Sequence, residues 1–240
     1  MSDRNGSSEI FVIAPDGTGE ELLITSDGDE FGPQWSPDGS GFAFVSDRGD
    51  SDGDVYVATA SGGDAQRLTS IGGANGVQWS PDGSWILFVS QNTESGQAQL
   101  FMVPSGGGDL RQLTSDGYNA GGEWSPDGSQ ILVNHHSGEG FDIGVIDVAS
   151  GEMTMLATEP AWEVGARYSP DGEWIVYQGN MEGNFELYVM PAAGGEATRV
   201  TMTDADEGNA RFTTDGHLYY QVAEGDTDLW YMDVEAALPE

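Results

Sequence analysis

The chain has no cysteine and no lysine in 240 residues. Without cysteine, disulfides and thiolate chemistry are excluded. Without lysine, seven arginines are the whole basic complement against 41 acidic residues, a formal charge of −34. A surface of that sign repels phosphate backbones, which argues against nucleic acid as a partner. Long hydrophobic runs are missing too: none approaches the roughly 18–20 residues that span a bilayer. The N-terminus, MSDRNGSSE, lacks the basic head and apolar region of a signal peptide. A soluble domain without membrane insertion is therefore expected, any signal of the parent protein lying outside this sequence. No stretch of ten residues shows an apolar stripe at helical spacing.

What the sequence does have is glycine, 36 residues of it, with 10 prolines and 10% aromatics, a composition that favours β structure. Its organising feature is a repeat. Trp35-Ser36-Pro37-Asp38-Gly39 returns at Trp79 to Gly83, Trp124 to Gly128 and Tyr168 to Gly172, and in worn form as Phe212-Thr213-Thr214-Asp215-Gly216. The steps between the aromatic residues are 44, 45, 44 and 44, a period suited to one four-stranded propeller blade. After each turn comes an alternating strand (Phe42 and Phe44; Ile86 and Phe88; Ile131 and Val133; Ile175 and Tyr177). A variable loop follows, then a second such strand (DVYVA, QLFMV, DIGVI, ELYVM, DLWYM), a Gly-rich turn and a short strand ending in LT or VT. Each repeat reads as strands A to D. The repeats fall at about 32–69, 76–114, 121–157, 165–201 and 209–234 of a single domain covering 1–240.

The turn has a mechanism. Ser, Pro, Asp and Gly at successive corners are what a type I turn prefers, which makes SPDG an A-to-B hairpin. No blade buries both faces alone, so Trp35, Trp79, Trp124, Tyr168 and Phe212 are assigned to fill the gap between neighbouring blades.

These residues, WSPDG followed by FAFVSDR, DVYV and RLT, resemble the WD40-like (PD40) repeat of the TolB-type β-propellers over about residues 2–234. The resemblance implies an all-β propeller of four-stranded antiparallel blades serving mainly as a protein-interaction scaffold, periplasmic and typically six-bladed. It also implies kinship with propellers attached to prolyl-oligopeptidase-like serine peptidases. The phase departs from that pattern. The chain starts at the end of a B strand, supplies strands C and D over 9–25, and stops after A, B and C of its last blade. Five blades are expected, with the N-terminal strands 9–25 closing the ring and one C strand in surplus. Six blades, or an incomplete or strand-swapped ring, is the alternative, and strand exchange would be the route to a homo-oligomer. The cut in mid-blade suggests a reduced or engineered piece of a longer propeller.

Positions that differ between equivalent blades carry individuality. Twelve residues after each motif aromatic, where B ends, stand Asp47, Gln91, His136 and Asn180, with Ala223 as the approximate fifth. B-to-C and D-to-A loops share the rim of the central channel in propellers of this connectivity, so this ring is a candidate face for a protein, a peptide or a small polar ligand. The D-to-A loops place Asp29, Glu30, Phe31, Tyr118, Trp162, Glu163, Asp204, Asp206 and Glu207 near the same rim. Trp162 is either a plug of a satellite core or an exposed anchor. Acidic loops with interleaved aromatics suit a basic peptide, a cation or a sugar. Just before the motif aromatics, Gln34, Gln78, Glu123, Arg167 and Arg211 read as a salt-bridged belt.

The acidity itself has two readings, a solubilising coat for a halophilic milieu or an array of cation or basic-partner sites. The coat is favoured, since the acids are spread along the whole chain. No cofactor is expected. Calcium is considered at Asp50-Ser51-Asp52-Gly53-Asp54 and at Asp204-Ala205-Asp206-Glu207, although neither stretch continues into a twelve-residue EF-hand loop. Catalysis is not expected either. There is no room for the α/β-hydrolase domain of the peptidase relatives. Of the three histidines, adjacent His135 and His136 point to opposite faces of a strand and His217 follows a turn. The alternative function is the substrate-gating propeller of a prolyl-oligopeptidase-like hydrolase whose catalytic domain lies outside this sequence.

Overall fold

A computed structural model describes residues 7–49, 52–136, 138, 140–224 and 226–233. They form two compact units, Met1–Asp116 and Gly117–Glu240. In the first unit β1 (Ile10–Val12) and β2 (Glu21–Ile24) make a two-stranded sheet. A four-stranded sheet follows: β3 (Glu30–Trp35), β4 (Gly41–Ser46), β5 (Asp54–Thr59) and β6 (Gln66–Arg67). A second consists of β7 (Ala74–Trp79), β8 (Trp85–Ser90), β9 (Gln99–Pro104) and β10 (Arg111–Gln112). The second unit opens with β11 (Tyr118–Trp124), β12 (Gln130–His136), β13 (Phe141–Asp147) and β14 (Met153–Ala157), then β15 (Glu163–Tyr168), β16 (Trp174–Gly179), β17 (Glu186–Pro191) and β18 (Thr198–Arg199). It ends in a three-stranded sheet of β19 (Asp206–Phe212), β20 (His217–Glu224) and β21 (Asp226–Asp233).

Every sheet is an antiparallel meander in chain order, the A-to-D pattern expected of a blade. Four sheets are complete and two are partial. Strands C and D expected over 9–25 pair as β1 and β2, and β19 to β21 form a three-stranded sheet of A, B and C. These sheets fit a propeller of five to six blades. The first residues, which set the repeat's phase, lie outside the described residues.

The SPDG turns close on themselves. In the first, Gly39 N donates to Ser36 O at 2.9 Å, Ser36 Oγ donates to Asp38 Oδ1 at 2.7 Å, and Ser40 N donates to the same carboxylate oxygen at 2.9 Å. Gly39 sits at φ +69°, a conformation glycine adopts without steric cost. The hydroxyl-to-carboxylate bond recurs at Ser80–Asp82, Ser125–Asp127 and Ser169–Asp171. Hydrogen bonds to the charged form hold Asp38, Asp82 and Asp127 down to about 2.

A second periodic device lies in strand A. The A-to-B register shifts in each of the five hairpins, at Phe31/Gln34, Asn75/Gln78, Ala120/Glu123, Val164/Arg167 and Gly208/Arg211. Within these shifts Gly32, Gly76, Gly121 and Gly165 have positive φ, and Asn209 takes the fifth place at φ +52°. Asparagine tolerates that region better than other residues with a Cβ. Such a bulge bends the strand and re-aims its ends.

Burial follows the period of two. In β4, Phe42 and Phe44 pack on Ile10, Ile24 and Tyr56, while Ala43 and Val45 face Ile86, Phe88 and Val103. In β16, Ile175 and Tyr177 pack with Leu132, Ile143 and Tyr188, whereas Val176 joins Leu187, Ala210 and Leu218. Both faces of β4 are covered by adjacent sheets, so this strand is buried throughout.

The periodic aromatics are not equivalent in surroundings. Trp79 donates its indole N–H to Gln34 O in the preceding sheet at 3.0 Å, and Tyr168 and Trp124 are buried. Trp35 instead is 50% exposed, packing edge-on against Phe42 of its own sheet. Its assignment as an inter-blade filler is corrected here. The sheet before it in its unit has only β1 and β2, so no A strand stands where Trp79 finds Gln34. The last strand is also open, with Leu229, Trp230 and Tyr231 exposed.

Candidate functional site

Among the residues expected on the rim, the best-formed cluster lies in the second unit. β12 ends at His136 and β13 begins at Phe141, which the register sets opposite each other. Phe141 is the hub of an aromatic group: His136, Trp162 and Tyr118 approach it edge-on at centroid distances of 4.9, 5.3 and 5.9 Å. Such geometries match the positive edge of one ring to the negative face of another. The Trp162 loop is fastened by Asn180, whose Oδ1 accepts the Trp162 backbone N–H at 2.8 Å while its own N–H donates to Trp162 O at 3.2 Å. Trp162 packs on Phe141 while 46% of its surface remains exposed. Phe141 escaped sequence reasoning. The signal was its place as first residue of strand C, opposite the last residues of strand B.

In the first unit, Asp47 follows β4 and reaches the segment before β3, accepting the Asp29 N–H at 2.6 Å. Phe31 is exposed, and with Val45, Asp47, Asp52, Gly53 and Asn75 it lines a shallow cleft of about 450 Å³. Gln91 is exposed, its carbonyl accepting Thr93 N at 2.9 Å.

Three residues expected on the rim are buried instead. Glu30, Glu163 and Glu207 are the first or second residues of A strands and are 0, 0 and 1% exposed. Glu30 accepts from Ser26 Oγ at 2.6 Å, Ser46 Oγ at 3.1 Å and Arg48 Nη2 at 3.0 Å. Glu207 accepts from Thr201 Oγ1 at 3.1 Å and from Thr203 Oγ1. Neither carboxylate oxygen of Glu163 has a hydrogen-bond partner. Burial pushes its carboxyl up to about 7, with Asp142 and Glu159 adding to the rise and the Glu159 backbone N–H opposing it without reaching hydrogen-bond geometry.

Part of the expected belt is present: Arg167 Nε lies 3.0 Å from Glu123 Oε2, and Tyr168 N donates to Glu123 Oε1 at 3.1 Å. Desolvation raises the Glu123 carboxyl despite Arg167 and Arg211 nearby. Of the stretches considered for calcium, Asp50 and Ser51 lie outside the described residues. Asp54 is taken by Arg67, Thr69 and Gly72 N, and Asp206 accepts Phe185 N at 2.8 Å. His135 is buried against Asn119, its Nδ1 2.9 Å from Asn119 Oδ1. Gly49-Asp50-Ser51-Asp52-Gly53 spells the letters of a nucleophile elbow, and its Asp50 and Ser51 lie outside the described residues.

Residues 115–237 match the family described as the TolB beta propeller domain, and residues 5–140 match the Tricorn protease N-terminal beta propeller domain. The chain belongs to the TolB-type β-propeller family. Among solved structures, this TolB-type chain is similar to a TolB from Agrobacterium tumefaciens, with 23% identity, TM-score 0.70, and 97% of this chain and 87% of that one covered. An oligogalacturonate lyase from Vibrio parahaemolyticus aligns at 14% identity and TM-score 0.74, covering 96% of this chain and 71% of that one. A puromycin-hydrolyzing peptidase from Mycobacterium tuberculosis aligns at 15% identity and TM-score 0.73, covering 92% of this chain but only 41% of the peptidase. At these identities the likeness establishes the propeller fold. No curated protein matches the sequence.

Proposed function

We propose that this TolB-type domain is a non-catalytic binding module, docking a protein or peptide through the second unit's rim residues Tyr118, His136, Phe141, Trp162 and Asn180. The supporting observation is the half-exposed Trp162 indole, held on Phe141 and tied by Asn180, an ordered aromatic anchor of the type that dominates binding energy at interfaces. The partner segment is basic in this reading, because it must approach a chain of charge −34 and because Asp142 and Glu159 border the same loops. A periplasmic location follows the TolB kinship and belongs to the proposal.

The test is fluorescence titration of the full chain with arginine-rich, neutral and acidic peptides at physiological salt. Saturable binding of the basic set, weakened at least tenfold in Trp162→Ala, is the expected result. Equal binding by Trp162→Ala would overturn it. A second reading, a gating propeller within a larger hydrolase, draws on the span of 41% of a peptidase. Its sign would be a hydrolase domain encoded in the same gene.

A further inference from the structure

The repeat allows one sheet to be compared with another, residue by residue. Glu30 stands opposite Ser46, and Glu163 stands opposite Gly179. Phe44 stands opposite Tyr56, and Tyr177 opposite Tyr188. Both sheets therefore carry a fully buried carboxylate and a stacked aromatic pair. The rings are 5.8 Å apart at 23° in the first case and 5.6 Å apart at 20° in the second.

In the first sheet a cation completes the arrangement. The Arg48 guanidinium lies 4.7 Å from the Tyr56 ring centroid and 5.4 Å from that of Phe44, and its Nη2 donates to Glu30 at 3.0 Å. Charge, two π faces and a buried carboxylate thus converge on one guanidinium. In the second sheet each donor is lost. Ser26 corresponds to Glu159, Ser46 to Gly179 and Arg48 to Met181. Met181 takes the space beside the ring: its sulfur would lie 2.6 Å from a Cβ built on Gly179, which would also stand 3.2 Å from Tyr188 Cε2. Glu163 keeps its buried carboxylate with no hydrogen bond to either oxygen.

An unpartnered buried acid is costly, and a fold retains one where something else supplies the partner. Glu163 lines a cleft of about 460 Å³ with Leu156, Glu159, Tyr177, Met181 and Tyr188 among its walls, within the range of small-ligand sites. The facing groups are acidic or aromatic: Asp142, Glu159, Glu182, Tyr177 and Tyr188, while the nearby Arg199 is engaged by Glu186. A methionine side chain is unbranched and readily displaced, so Met181 is a movable wall.

We propose that this cleft is a guanidinium site, taking from a ligand the arginine-type group that the first sheet supplies from its own chain as Arg48. The guanidinium pairs with Glu163 and lies on Tyr188, displacing the Met181 thioether. Because Glu163 must be ionised to pair, binding releases a proton and strengthens as pH rises through about 7.

The experiment is calorimetric titration of the full chain at physiological salt with N-acetyl-arginine methylamide and its neutral citrulline isostere. Expected are saturable binding of the arginine compound alone, at least tenfold weakening from pH 8 to pH 6, and at least tenfold loss in Glu163→Gln. Met181→Arg fills the site from within, abolishing binding and raising Tm. Trp162→Ala leaves this binding unchanged, which separates the site from the rim proposed above. Titration with agmatine and with a peptide carrying one arginine tells a free guanidino compound from a protein side chain by which binds tighter. Binding of the citrulline compound as tightly as the arginine one, or no effect of Glu163→Gln, overturns the proposal. So does a lowered Tm with intact binding in Met181→Arg.

Discussion

The indole N–H of Trp79 donates to the carbonyl oxygen of Gln34, 45 residues earlier and one sheet back, at 3.0 Å. One repeated aromatic thereby ties two blades by a hydrogen bond as well as by area. Trp35, its counterpart one repeat earlier, is half exposed and packs edge-on against Phe42 of its own sheet. Trp79→Ala is expected to cost about 3 kcal/mol, at least twice the cost of Trp35→Ala, as read from urea midpoints. Equal costs would show that Trp35 is buried in solution.

Glu163 gives stability a pH slope of its own. Its folded pKa of about 7 lies above the ordinary carboxylate value of 4.5, so the folded state holds a proton that the unfolded state has lost between these limits. Stability should fall as pH rises from 4.5 to 7 and level off above, by at most about 3 kcal/mol. Glu163→Gln should remove that fall and melt higher than the wild type at pH 8. A Tm–pH curve identical for both proteins would refute the assignment.

The turn aspartates slope the other way. Asp38, Asp82 and Asp127 are held at about 2, so their contribution is present above the unfolded carboxylate range and is lost as pH falls toward 2. Replacing all three by Ala should flatten the acid limb of the melting curve below pH 4 and leave the limb between 4.5 and 7 intact.

Asn209 occupies a place held by glycine in the other four hairpins. Asn209→Gly is expected to be neutral or to raise stability slightly, because the folded φ of +52° is strained for a residue with a Cβ. Asn209→Val should cost about 1–2 kcal/mol. Thermal melts of the pair give the answer directly.

The charge of −34 bears on salt. If the acids form a coat adapted to high ionic strength, Tm should climb from low to molar NaCl as self-repulsion is screened. A flat response would remove the halophilic reading.

Much of this fold could be read from the spacing of Trp35, Trp79, Trp124 and Tyr168, because one aromatic and one turn per 44 or 45 residues mark one blade each. Period-2 alternation then located the B and C strands to within a residue or two. The termini were harder: strand identity is local, but which strand pairs with which is not, and 9–25 pairs with itself. At the site, Trp162, His136, Tyr118 and Asn180 were named without the residue that joins them, Phe141. The acids Glu30, Glu163 and Glu207 were placed on the D-to-A loops, whereas the A strand begins two or three residues before the sequence pattern suggests. The contrast between Glu30 and Glu163 was nonetheless present in the repeat, in the exchange of Ser46 for Gly179 and Arg48 for Met181.

The hydrogen bonds that shape each SPDG corner begin and end within a handful of neighbouring residues. Nothing distant has to be rewritten when such a corner is copied. Gene duplication or deletion in steps of one repeat therefore delivers blades that already know how to turn.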